Sequence, residues 1–225
     1  MKKVRTVGFL AIFLFINSCS TFTKITSTWK ADNITPRPYN KVMVLGIIRE
    51  ADRNIRIEME NHLVDDLKAL GYNAFSAYHE YGPKMFQNMT EQEANETLAK
   101  GDVDAVLTIV LLDKQKERYY VPKTIIYSPY VLYHSRMWGY YYSLSSRIDV
   151  PDYYDVSTKY FWESNFYDLT LNKLLFSVQT QSFDPSSVSD LAHEYGQKII
   201  QSMTKTGVLQ KQGQIAKQEK STKTM

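Results

Sequence analysis

Lys41-Val42-Met43-Val44-Leu45-Gly46-Ile47-Ile48 is an unbroken apolar run behind a single lysine. A strand buried on one face alternates apolar and polar residues, whereas an unbroken run suits a strand covered on both faces, as in parallel sheets flanked by helices. Downstream, Ile55, Met59, Leu63, Leu67 and Leu70 fall on one face of a 3.6-residue period, which predicts a helix. Asp52 is placed to cap its start and Gly71 to close its end. A second strand is expected over residues 72–78. Thr90 and Glu93 have the spacing of a capping box for a short helix ending at Gly101. The run from Ala105 to Leu112 is the third buried strand. This β-α-β-α-β order predicts parallel neighbours joined by right-handed crossovers.

The pattern changes after the third strand. Residues 119–160 hold 11 of the 17 tyrosines, and no periodicity organises them. Residues 160–168 and 174–180 then read as a hairpin turning near Thr170, Asn172 and Lys173, with Asn172 able to take a positive φ. Ser187 and Asp190 are spaced as a second capping box. It opens a helix with Val188, Leu191, Tyr195, Ile199 and Met203 on one face and Gly207 as its stop. Upstream, residues 19–40 read as a tether. Within it Ile25, Ser27 and Trp29 alternate with Lys24, Thr26, Thr28 and Lys30, which is strand periodicity, before Pro36 and Pro38 interrupt. The expectation is one mixed α/β (α+β) domain over residues 41–208, with helices packed on a sheet of about five strands. A Tyr-rich insert occupies 119–156, and a polar, disordered tail follows over 209–225.

Charge narrows the function. The net charge of +3 comes from 27 Lys+Arg against 24 Asp+Glu. Lys2, Lys3 and Arg5 account for the whole excess, so the body is neutral and nucleic acid is not an expected partner. The single cysteine, Cys19, excludes a disulfide framework and a cysteine-based zinc site. The basic start precedes the mostly apolar residues 7–16 and then Asn17-Ser18-Cys19. That run is shorter than the ~20 residues needed to span a bilayer and suits a signal peptide over residues 1–18.

Ile16, Ser18 and Cys19 resemble the lipobox of bacterial lipoproteins, although Asn17 is unusual there. The resemblance implies diacylation of Cys19, cleavage before it and N-acylation, giving a lipid-bilayer anchor. Ser20, in place of Asp, implies the outer membrane, and the absence of acids before Asp32 favours its periplasmic side. Further landmarks are Ser27-Thr28-Trp29-Lys30, the K-V-x-V-x-G strand from Lys41 to Gly46, Asp102 and Asp104 before Ala105-Val106-Leu107, Asn165-Phe166-Tyr167-Asp168, and Phe183-Asp184-Pro185-Ser186. As a set they resemble a group of poorly characterised bacterial lipoproteins, a likeness that implies no particular enzymatic activity. The element order is also similar to the N-terminal domain of TolB, a likeness of fold alone.

Catalytic signatures are missing. No H-E-x-x-H, G-x-S-x-G, Walker loop or G-x-G-x-x-G occurs. No catalytic residue, metal or cofactor is expected beyond the covalent lipid on Cys19. Among the four histidines, His193 with Glu194 and Asp190 comes nearest to a ligand group, and a solvated first helical turn explains it as well. The pairs Asp65/Asp66 and Asp102/Asp104 suit a polar helix side and a turn. Asp152 and Asp155 flank two tyrosines. The candidate binding residues are therefore aromatic: Tyr127, Tyr130, Tyr133, Trp138, Tyr140, Tyr141 and Tyr142, rigid amphipathic rings suited to a protein or glycan surface. They would make this a non-enzymatic, membrane-anchored periplasmic protein that binds an envelope protein or glycan. One alternative is a glycan-processing hydrolase using Asp152, Asp155 or Glu163; another is a subunit of an envelope assembly pairing through a sheet edge.

Overall fold

A computed structural model describes residues 22–117, 137–139 and 157–214. Ten main elements follow the chain: β1 (Phe22–Lys30), β2 (Val42–Ile47), α1 (Arg53–Ala69), β3 (Ala74–Ser76), α2 (Ala77–Tyr81), α3 (Glu91–Lys100), β4 (Ala105–Glu117), β5 (Ser157–Asp168), β6 (Lys173–Phe183) and α4 (Val188–Lys205). The strands form one six-stranded sheet in the order β1-β6-β5-β4-β2-β3. β2 lies parallel to both β3 and β4, while β5, β6 and β1 continue the sheet antiparallel. The mixed α/β sheet expected from the apolar runs is present.

The sixth strand is β1. Residues read as a tether pair with β6 from Phe22↔Phe183 to Lys30↔Phe176, with a bulge between Ile25 and Ser27. Their alternation was a sheet-edge pattern. Thr23 hydrogen-bonds Ser182 at 2.8 Å, and Ile25 packs against the core.

The second predicted strand is short: Ala74–Ser76 pairs with β2, and Ser76 then caps α2 by accepting from the His79 amide. The packed chain also runs past residue 208. Leu209 is buried, the Gln210 carbonyl accepts from Tyr72 Oη at 2.9 Å, and the Gln212 amide donates to the Leu70 carbonyl at 3.0 Å. Residues 215–225 lie outside the described part.

Each sheet face has its own core. On one, α1 and α4 cover Val42, Val44, Leu107, Ile109, Trp162, Phe166 and Phe176. On the other, Met43, Leu45, Ile47, Val106 and Val110 pack with Ala94 and Leu98 of α3 and with Phe86, Met137 and Trp138. Both capping residues expected at Thr90 and Ser187 are in place, Thr90 with the full reciprocal box. Asp52 does not cap α1 with its side chain. Lys114, 2.7 Å away, and Arg49, 3.5 Å away, hold its carboxylate instead. Asn172 takes φ +48° in the β5–β6 turn, as the sequence predicts.

Candidate functional site

In open α/β sheets, ligands bind beyond the carboxyl ends of parallel strands where the chain switches direction. Here that place is the end of β2, from which the chain reaches β3 on one side and β4 on the other. The ion group at Asp52 lies just beyond this strand end, joined by Lys114 from β4. Lys114 also lies 5.4 Å from the ring centre of Tyr160, which stacks on Trp162. Burial, followed by the Asp52 and Asp184 carboxylates, raises the Tyr160 pKa and keeps it a neutral phenol.

Beside the same strand end, Glu60 of α1 has no exposed surface. Its Oε1 accepts from the Gly46 amide at 2.8 Å and Arg56 Nε at 3.0 Å; its Oε2 accepts from Ser76 Oγ at 2.5 Å and the Tyr78 amide at 2.8 Å. Four donors fill both oxygens. Arg56 extends the group to the Pro83 carbonyl at 3.1 Å. Glycine fits position 46 because a Cβ there would sit 2.8 Å from Arg56 Cγ and 2.9 Å from Glu60 Oε1 and force that pair to shift. This carboxylate ties the ends of β2 and β3 to α1. Sequence reasoning passed over it. A glycine at the end of a buried strand signals a close approach, and with the Arg56–Glu60 spacing of four it was the available clue.

The antiparallel half of the second face is polar. Cross-strand partners bring Thr108, Asn165, Ser177 and Trp29 into one row, and Val110, Glu163, Gln179 and Ser27 into the next. Glu163 has no exposed surface and accepts from Asn165 Nδ2 at 3.0 Å and Gln179 Nε2 at 2.8 Å. A carboxylate so enclosed does not reach a glycosidic oxygen in this conformation. Asp152 and Asp155 lie outside the described residues.

Two further carboxylates at strand ends, Asp104 and Asp168, hold the chain around them. Asp104 accepts from the Asn40 and Lys41 amides, and Asp168 binds Arg37 at 2.7 Å and the Leu171 amide at 2.9 Å. Between α1 and α4, the His62 and His193 rings stand 5.6 Å apart, edge to face. Asp66 lies beside them, its Oδ2 turned toward Gly196 without a hydrogen-bond partner. Burial raises the Asp66 pKa, against the lowering pull of both histidines. Among the described residues no group of His, Cys, Asp and Glu has the arrangement to hold a metal ion.

Of the aromatic candidates, Trp138 is described and its ring is not a surface feature. It is 3% exposed, lies 5.2 Å from Phe86 ring to ring, and donates Nε1 to Asn95 Oδ1 at 2.7 Å. It helps seal the second core. Tyr127, Tyr130, Tyr133, Tyr140, Tyr141 and Tyr142 lie outside the described residues, as does Cys19. The chain leaves β4 at Glu117 and re-enters β5 at Ser157, which are paired neighbours. Phe22 pairs with Phe183 at the same end of the sheet. The Tyr-rich connection and the segment following Cys19 therefore join the fold at one end. Among the described residues no helix is long and apolar enough to cross a membrane.

No family model and no curated protein matches the chain. Among solved structures it is similar to the PelC dodecamer from Paraburkholderia phytofirmans, at 12% identity and a TM-score of 0.43, covering 85% of this chain and 99% of that one. It is also similar to the lipoprotein GNA1162 from Neisseria meningitidis, at 13% identity and a TM-score of 0.40, covering 75% and 99% respectively. Likenesses this distant carry no argument about function.

Proposed function

We propose that this is a lipid-anchored envelope protein without a catalytic role, held at the periplasmic face of the outer membrane through acylated Cys19. It binds an envelope protein or glycan through the Tyr-rich connection between β4 and β5. The observation that carries the reading is where the fold takes up the chain: Phe22, three residues after Cys19, is the first residue of a paired strand. Only residues 20 and 21 separate Cys19 from that strand, so an acyl group on Cys19 would hold the folded unit close to its membrane. Among the described residues, the carboxylates of Glu60, Glu163, Asp104 and Asp168 hold structure, which supports a binding role over hydrolysis. Multiple acyl chains, at ~0.8 kcal/mol per buried CH₂, make such an anchor stable.

Fractionation and intact mass test the anchor. The native chain is expected in the membrane fraction carrying acyl groups on Cys19, and a Cys19→Ala variant in the aqueous fraction. An unmodified thiol in the native protein overturns the reading. For the binding role, crosslinking in the native envelope is compared with a variant lacking residues 121–152. Loss of the captured partner is expected, and an unchanged partner set removes the connection as the binding element.

A further inference from the structure

We infer that the protein stands on its membrane by one end of the sheet, where β1 begins and β6 ends, and that this end is its docking surface for phospholipid headgroups. The inference rests on the anchor proposed above and adds the orientation that the fold imposes on it. Cys19 is three residues from Phe22, so their Cα atoms lie within about 11 Å at ~3.8 Å per residue. A tether running to residue 40 would have left the domain free to turn. Instead β1 is paired with β6 along its length, so Phe22, the start of that strand, is fixed at the corner of the sheet.

That corner carries exposed Lys24, and beside it the Lys159 ammonium lies 5.8 Å from the ring centre of half-buried Phe183. An exposed lysine five residues from the acylated position suits the phosphates of the headgroup layer. Exposed Ser189, in the first turn of α4, follows directly from the end of β6. The opposite end holds the β5–β6 turn, where Leu171 is 55% exposed, and Lys100 at the close of α3. β5 pairs from Ser157 at the docking end to Asp168 at the far end, about 37 Å at ~3.4 Å per residue. The two ends therefore differ widely in their distance from the bilayer.

The test uses the full, acylated protein in vesicles of phosphatidylethanolamine and phosphatidylglycerol containing headgroup-nitroxide lipid. With Cys19 consumed by lipid, single variants Lys24→Cys, Ser189→Cys, Lys100→Cys and Leu171→Cys each carry one fluorophore. Quenching is expected at 24 and 189, and its loss to the lipid-free baseline at 100 and 171. A flexible Gly/Ser stretch of ~20 residues, spanning about 25 Å, inserted between Ser20 and Thr21, is expected to abolish that difference while the protein stays on the vesicles. Equal quenching at all four positions of an acylated protein overturns the orientation and leaves the anchor standing. A near–far difference that survives the insertion overturns the short spacing as its cause. An unmodified Cys19 in the mass spectrum brings down the anchor and the orientation together.

Discussion

The parallel half of the sheet, β3-β2-β4, and the antiparallel half, β5-β6-β1, handle polar groups in opposite ways. All six residues of β2 are buried, and helices cover both of its faces. Polar chemistry is gathered there at the strand ends, in the enclosed Glu60 carboxylate and the Asp52–Lys114–Arg49 ion group. Across the antiparallel half it is spread in rows, Asn165 beside Ser177 and Glu163 beside Gln179, while Trp162, Phe166 and Phe176 pack on the α1–α4 face. Concentration makes one half dependent on a few side chains. Dispersal lets the other lose one contact at a time.

The sharpest way to break that contrast is Glu60→Gln, which leaves Arg56 without its buried counter-charge and turns an amide against donors. A loss of about 3–5 kcal/mol is expected in urea unfolding. Gly46→Ala strikes the same point by steric crowding and is expected to cost about 1–3 kcal/mol. Because the two share partners, their double variant should fall short of the sum, which a double-mutant cycle reads directly. In the antiparallel half, Tyr195→Phe removes the hydroxyl that lies 2.6 Å from Ser164 Oγ in the buried core. The expected cost is about 1–2 kcal/mol. Trp138→Phe drops the hydrogen bond to Asn95 and leaves part of the buried indole's volume unfilled, and should cost about 1–2 kcal/mol.

The smallest effect sits between the helices. Burial raises the pKa of Asp66 above its ordinary 3.8, so the folded protein holds that proton more tightly than the unfolded chain. Its contribution to stability is greatest below 3.8 and declines as pH rises through the higher folded value. Protonated His62 and His193 soften the decline, while Asp65 adds to it. Asp66→Asn should flatten this part of the profile and gain less than ~1 kcal/mol at neutral pH, since the group is half exposed. Urea midpoints between pH 4 and 8 measure the difference.

The same contrast explains what was legible in the sequence. Buried parallel strands announce themselves as continuous runs, and both N-caps could be read from local spacing, because the groups that decide them lie within four residues. β1 was harder. Alternating Thr and Lys look alike on a solvated tether and on a sheet edge, and only β6, about 150 residues later, separates the two. Asp52 misled for a related reason: Lys114 claims its carboxylate from 62 residues away. Trp138 sits in a tyrosine-rich stretch whose composition suggests a surface, yet Asn95 and Phe86 draw it inward. The burial of Glu60 likewise depends on Gly46 and Ser76, brought to it only by the fold.

The pairing of β1 with β6 also sets an order of events. Phe22 meets Phe183 and Lys30 meets Phe176, so the earliest paired residues must wait for the last described strand before their ladder can close. Long-range pairing of this kind is slow. Until the later part of the chain is in place, nine residues with strand character wait unmatched, open to any other strand edge that arrives first.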